Sequence, residues 1–362
     1  LVNEDQSLGE RNGVTCGSIE HKMGLKGSST CVMNYDGATG FLIGEPNKGM
    51  RAMFVMMNEA RLGVGVQGLG LSEVAYQNAA SYAKGRIQGR ALSGVTHPDK
   101  AADPIIVHPD VRRMLLNVRA FNEGARALAM WTALHIDLSE RHPDETIRKN
   151  SDDLVGLIMP VLKAFLTDTG FESVNLALQC FGGHGYIREH GMEQFVRDAR
   201  ITQLYEGTSG IQALDLVGRK LPQGTGRLLR QFFHPVDQFI QENADDKELG
   251  DIVMNLAKSF ARLQQATAWI AEKGLKDPMQ AGAASSDYLK IFGHVALGFM
   301  WARMAKVSLA RLADSEGDKA FHENKVKLAR YYMSKVMPDT SSLLSKVMAG
   351  ADPLLVFSEE AF

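Results

Sequence analysis

The sequence predicts a mainly α-helical protein, the remnant of a small β-domain followed by two helical bundles. Three observations predict it. Short β-prone runs broken by glycine, asparagine and aspartate are confined to residues 13 to 45. Apolar residues at helical spacing fill most of the chain after Gly49. A cluster of helix breakers, Leu221-Pro222-Gln223-Gly224-Thr225-Gly226, then divides the helical part. The expected domains are 1–46, the tail of the β-domain; 47–221, the first bundle; and 222–362, the second.

In the first segment, Gly13 to Ile19, Thr30 to Tyr35 and Gly40 to Ile43 are expected strands. From Gly49, Met53, Met56, Met57, Ala60, Val64, Leu71, Val74 and Ala75 approximate a helical stripe. Gly63, Gly65, Gly68 and Gly70 interrupt it, each costing about 1 kcal/mol relative to alanine in a helix. A long helix that uses glycines for close packing is the expected compromise. Gly63-Val64-Gly65-Val66-Gln67-Gly68 matches the dinucleotide fingerprint G-x-G-x-x-G literally. That fingerprint needs a preceding strand and a helix opening at the glycines, whereas helix-prone residues flank it on both sides.

His108-Pro109-Asp110 opens the next helix, proline suiting a first turn. Its stripe of Val111, Met114, Leu115, Val118, Phe121, Ala125 and Leu128 should carry it to about Ile136. The charged stretch Ser139 to Asp153 is expected to be a loop. Leu154 to Cys180 follows as a helix kinked at Pro160, then short helices Met192 to Ala199 and Thr208 to Lys220. Past the breakers, Leu228 to Glu242, Lys247 to Lys273, Ser286 to Ala313 and Lys319 to Met337 read as helices. The third has the clearest stripe, with Leu289, Phe292, Val295, Ala296, Phe299 and Met304.

At 362 residues and 45% hydrophobic content, two domains with a substantial core are expected. The net charge of -2 is spread along the chain, offering no basic face to nucleic acid or membrane lipid, and no apolar run is expected to reach a bilayer span. Cys16, Cys31 and Cys180 are odd in number and lack metal or disulfide spacing, which points to a reducing cytoplasm and no metal site.

The chemically informative run is Leu204-Tyr205-Glu206-Gly207-Thr208-Ser209-Gly210-Ile211-Gln212, one carboxylate between an aromatic ring and a hydroxyl-bearing turn. A lone glutamate there is usually a dipole-stabilising residue. This one follows Gln179-Cys180-Phe181-Gly182-Gly183-His184-Gly185-Tyr186 and Phe195-Val196-Arg197-Asp198-Ala199-Arg200-Ile201. The ordered set resembles the C-terminal signature of the acyl-CoA dehydrogenases, closely over residues 171 to 220 and more loosely over 22 to 135. By the same resemblance the first bundle is the family's C-terminal four-helix bundle, and the second is the extra C-terminal domain of its long members.

The resemblance implies FAD-dependent α,β-dehydrogenation of an acyl-CoA thioester to a 2,3-enoyl-CoA. Glu206 would remove the α-proton while the β-hydrogen leaves as hydride to FAD. Burial beside an acyl chain would raise its pKa toward operating pH. The Glu206 N–H and a ribityl hydroxyl of FAD would hold the thioester oxygen. Tyr205 would lie along the acyl chain or the flavin edge, Gly207 would line the substrate, and Thr208 would reach the flavin or cap the following helix. Gln179, Gly182 and Gly183 match contacts to the adenine-nucleotide half of FAD bound mainly by a partner subunit, where glycine permits close approach; the same residues also suit a helix C-cap. Arg86 and Gln88, in Tyr82-Ala83-Lys84-Gly85-Arg86-Ile87-Gln88-Gly89, match a segment reaching a partner's FAD pyrophosphate, without the phenylalanine of the usual motif. Arg61 matches an arginine near the CoA and thioester, with Asn58 one turn earlier on the same face. Ala60 stands where a minority of members carry the base, leaving Glu206 as the matching base.

Gly210 replaces a glutamine common in medium-chain members, and Pro109 falls near a glutamine that often meets adenine, so nucleotide contacts should differ. His184 reads as structural. The resemblance further implies a homodimer or higher homo-oligomer, an electron-transfer flavoprotein as electron acceptor, and no nucleic-acid or membrane partner. The chain opens Leu1-Val2-Asn3-Glu4-Asp5, with no initiator methionine or signal pattern. Lys22-Met23-Gly24-Leu25-Lys26-Gly27-Ser28 matches a region that follows a helical domain and several strands in the family. A fragment without the N-terminal helical domain and part of the β-domain is therefore expected, dependent on that part for FAD and activity. The rival reading is a non-catalytic helical scaffold or dimerisation fragment.

Overall fold

The computed structural model describes residues 1–314 and 317–362; the side chains of Phe54, Val55 and Asn58 lie outside the description. The chain divides into two units, residues 1–59 and 60–362.

In the first unit, β1 (Val14–Ile19) and β2 (Cys31–Tyr35) form an antiparallel pair, with Val14 opposite Tyr35 and Ile19 opposite Cys31. The register shifts between Cys16 and Ser18, leaving Gly17 as the extra residue of a bulge. The strand expected at Gly40 to Ile43 does not form. Phe41, Leu42 and Ile43 are exposed, because β-prone residues make a strand only where a ladder partner takes up their backbone groups.

The rest of the chain is helical. The helices are α1 (Gly49–Gly85), α2 (Pro109–Arg141), α3 (Glu145–Cys180), α4 (Met192–Arg200), α5 (Ser209–Asp215), α6 (Arg227–Glu242), α7 (Gly250–Lys276), α8 (Pro278–Ala313), α9 (Lys319–Lys335), α10 (Asp339–Ala349) and α11 (Asp352–Leu355). The mainly α architecture agrees with the sequence; several boundaries do not. The loop expected over Ser139 to Asp153 shrinks to three residues. α2 runs on to Arg141, and Asp144 starts α3 by accepting the Thr146 N–H at 2.7 Å. Pro160 lies inside α3 without ending it. α8 begins at Pro278, where Asp277 accepts the Met279 N–H at 2.9 Å. The helix expected over Thr208 to Lys220 is α5 followed by a single π-turn, Leu216–Lys220.

α3 also corrects the expectation about apolar runs. It contains an 18-residue stretch of mean hydropathy 1.5, long and apolar enough to cross a bilayer, of which 78% is buried within the protein. It is the central helix of the core. Gly65 and Gly68 of α1 explain how it is reached. A Cβ on Gly65 would stand 2.6 Å from Leu162 Cδ2, and one on Gly68 3.0 Å from the Leu166 carbonyl oxygen. Two of the three glycines flagged by the fingerprint thus form a helix-crossing surface, where the missing side chains let two backbones approach, while a Cβ on Gly63 would meet nothing within 4 Å.

One hydrophobic core extends across the helices on both sides of Leu221. Leu157 and Phe165 of α3, Phe232 of α6, Leu256 of α7, Phe292 of α8 and Tyr332 of α9 all belong to it. The fully buried Trp301 of α8 donates its indole N–H to the Ala120 carbonyl of α2 at 3.0 Å. A second cluster joins Ala75, Ala79 and Ala83 of α1 to Val174 and Ala177 of α3 and to Met192 and Ala199 of α4. It fixes the helix ends from which the site residues project.

Candidate active site

α4 ends in a 3-10 turn, Ile201–Gln203, and residues 204–208 then form the turn that leads into α5. Glu206 adopts φ +54° and Gly207 φ +93°. A left-handed conformation at a residue with a Cβ costs roughly 1–3 kcal/mol and persists only where its surroundings impose it. Those surroundings are visible. The buried Gln212 donates from Nε2 to the Glu206 carbonyl at 3.2 Å, and a Cβ on Gly207 would meet that same nitrogen at 2.2 Å. Glu206 itself is half-buried. Among the described residues, neither its carboxylate nor its N–H has a hydrogen-bond partner.

The neighbours are also placed. Tyr205 donates its hydroxyl to the side-chain oxygen of Gln67 on α1, and partial burial, with the Glu206 charge, pushes the phenol pKa up. Thr208 caps α5, its Oγ1 accepting the Ile211 N–H at 3.4 Å. Arg61 is buried below the turn, with Nη1 3.9 Å from Asp215 Oδ2 and Nη2 3.9 Å from where a Gly207 Cβ would stand. Its Nε has no partner among the described residues. The side chain of Asn58 lies outside the described residues.

Two residues that sequence reasoning missed hold this turn. Lys163 of α3 is fully buried and donates from Nζ to the carbonyls of Thr202 at 2.8 Å and Gly207 at 2.6 Å. Desolvation pulls its pKa down to about 8; Asp168 and Glu206 oppose the shift and Arg61 adds to it. Asp168, also on α3, accepts from Gln203 Nε2 at 2.8 Å and Ser209 Oγ at 2.7 Å. The available signal for Lys163 was a lone charge inside the apolar run from Leu154 to Leu166.

Elsewhere in the same unit, the structure brings Arg86, Gln88, Gln179, Gly182 and Gly183 together on one cleft of about 710 Å³. Gly182 has φ +57°, and nothing lies within 4 Å of a Cβ built on Gly182 or Gly183. Arg86, Gln88 and Gln179 are exposed, and their side chains have no partner among the described residues. The wall behind them is built from stacked rings. Tyr82 stacks on Phe181 at 4.1 Å, and its hydroxyl lies 2.9 Å from His184 Nδ1. His184 in turn stacks on His190 at 4.8 Å. His184 is thus held within the wall, and no group of three His, Cys, Asp or Glu among the described residues is placed to hold a metal.

Residues 47–221 match the family model of the acyl-CoA dehydrogenase C-terminal domain, and residues 232–358 that of the acetyl-CoA dehydrogenase C-terminal-like domain. The chain belongs to the acyl-CoA dehydrogenase family. Over 99% of its length it is 40% identical to 3-methylmercaptopropionyl-CoA dehydrogenase of Ruegeria pomeroyi. Over 98% it is 32% identical to the broad-specificity linear acyl-CoA dehydrogenase FadE5 of Mycobacterium tuberculosis. It spans 60% of the length of each of these relatives. The crystal structure of an acyl-CoA dehydrogenase complexed with FAD from Bacillus anthracis has the same fold, with a TM-score of 0.75 and 21% identity over 94% of this chain and 57% of that one.

Proposed function

We propose that the protein carries out FAD-dependent α,β-dehydrogenation of an acyl-CoA, with Glu206 as the base that takes the α-proton. The observation that carries this reading is the Glu206 turn, whose carboxylate and N–H both lack partners among the described residues while its other side is bonded to buried groups. Deprotonation next to a thioester needs a base within reach of the proton and a donor for the oxygen where charge collects. A single residue here offers both. Tyr205 and Gly207 flank that position on the substrate side, and Arg61 would act on it from below as a buried positive charge.

The cleft fits the nucleotide half of FAD. The unpaired guanidinium of Arg86 suits a pyrophosphate, the amides of Gln88 and Gln179 suit a base or ribose, and Gly182 and Gly183 leave room for close approach. Thr208 keeps its hydroxyl hydrogen for a second partner while capping α5. When bound, the flavin supplies the acceptor for the β-hydrogen as hydride. The open cleft also suits completion by a second copy of the chain, and an electron-transfer flavoprotein is the expected electron acceptor in the cytoplasm.

Glu206→Gln tests the base directly, since the amide keeps the shape and removes the basic oxygen. In the full-length parent the FAD-loaded variant should keep its flavin and show no reduction on mixing with acyl-CoA in single turnover. Reduction at near wild-type rate would exclude Glu206, and a full-length wild-type protein that binds no FAD would favour the scaffold reading.

A further inference from the structure

Lys163 is an unusual residue to find in the middle of the most buried helix. Its side chain is fully covered, and among the described residues no carboxylate oxygen pairs with it; its acceptors are two backbone carbonyls, Thr202 at 2.8 Å and Gly207 at 2.6 Å. Those carbonyls stand at the two ends of the loop that contains Tyr205 and Glu206. Asp168 repeats the arrangement with opposite polarity, its carboxylate accepting from Gln203 at 2.8 Å and Ser209 at 2.7 Å. α3 therefore grips residues 202–209 twice, at 202 and 207 through a donor and at 203 and 209 through an acceptor.

A buried ammonium is expensive unless it is bonded, and a cation of this kind is not needed to fill the core, because methionine or leucine would do so. What it does provide is closure of a loop that contains a left-handed glutamate. Glu206 and Gly207 both have positive φ, and the Gly207 carbonyl is held from α3 by Nζ. We propose that Lys163 is the positioning residue that sets Glu206 for proton abstraction, by clamping the two ends of its loop. The charged groups around it are Asp168 on α3, Arg61 on α1 and Glu206 on the turn.

The inference rests on Glu206 being the base, and the test separates the two. In the FAD-loaded protein, Lys163→Met should lower the rate of flavin reduction by acyl-CoA roughly 10- to 100-fold, the scale on which small displacements of a catalytic group act. The KM for acyl-CoA and the flavin content should change little. A merely structural lysine would lower stability and flavin content in step with the rate. A Lys163→Met protein with wild-type rate overturns the proposal while Glu206→Gln remains inactive; if Glu206→Gln is itself active, the base assignment falls and the proposal with it. Should Lys163→Met fail to fold, Lys163→Gln decides. It keeps N–H donors on a shorter side chain and loses the charge, so its reduction rate should fall with KM and flavin content little changed, and a wild-type rate overturns the proposal.

Discussion

The Glu206 turn and the Gly182 cleft handle their polar groups in opposite ways. In the turn, backbone carbonyls, a buried lysine, a buried glutamine and an aspartate bond to one another, leaving Glu206 as the group that faces outward unpaired. In the cleft, the wall of Tyr82, Phe181 and His184 is satisfied, while Arg86, Gln88 and Gln179 project with no partner among the described residues. The first region stores strain and is held from within. The second is relaxed, and its polar groups are left for something that arrives. Such a division suits a site in which chemistry needs one fixed geometry, whereas a nucleotide can bring its own hydrogen-bonding groups.

The sharpest way to break this contrast is to add one methyl group to the turn. At Gly207 an alanine would have to adopt φ +93°, and its Cβ would overlap Gln212 Nε2 at 2.2 Å. Displacing Gln212 would leave the Glu206 carbonyl without its donor, a loss of about 1–3 kcal/mol for a buried group, and left-handed alanine adds about 1–2 kcal/mol. Gly207→Ala should therefore lower the unfolding free energy by about 2–5 kcal/mol in denaturant melts. It should also slow flavin reduction by about 100-fold or more. A variant with unchanged melt and rate would show that the turn is not held as described.

Much of the fold could be read from periodicity. Long apolar stripes located α1, α2, α7 and α9 to within a few residues, because burying one helix face against a core leaves a repeat in the chain. The misses share a cause. Residues 145–153 of α3 and 278–285 of α8 were not expected to be helical, yet Asp144 and Asp277 cap both helices by accepting backbone N–H groups. α10, with only Leu343 and Val347 buried alongside Thr340, offers too short a stripe to stand out. At the site, the cleft was legible because its residues lie in two short motifs. The support beneath Glu206 was not, since Lys163, Asp168 and Gln212 meet only through tertiary packing and a lysine's role depends on which carbonyls surround it.

The cleft should respond to loss of charge without loss of fold. Arg86 is exposed and unpaired, so Arg86→Ala removes nothing the folded chain uses. A charge-assisted contact to a pyrophosphate contributes about 1.5–3 kcal/mol, which corresponds to roughly 10- to 100-fold in FAD affinity. Fluorescence titration should show that weakening, with activity recovered at saturating FAD and the thermal transition unmoved. Unchanged affinity would remove Arg86 from the nucleotide site.

The mildest change draws the contrast most directly, because it repeats the Gly207 substitution in the other region. Gly183 lies in the 3-10 turn Gly182–Tyr186 with no positive φ, and a Cβ there meets nothing within 4 Å. Alanine loses less chain entropy on folding than glycine at a compatible position, so Gly183→Ala should leave stability unchanged or raise it by about 0.4–1 kcal/mol. The added methyl points into open space that the nucleotide is proposed to fill, so FAD affinity should fall, by less than for Arg86→Ala because a single methyl group removes no charge. The expected result is therefore a protein as stable as the wild type, or more so, that holds FAD less well. If Gly183→Ala binds FAD as tightly as the wild type, the backbone at Gly183 is not in contact with the nucleotide, and the cleft's role rests on Arg86, Gln88 and Gln179.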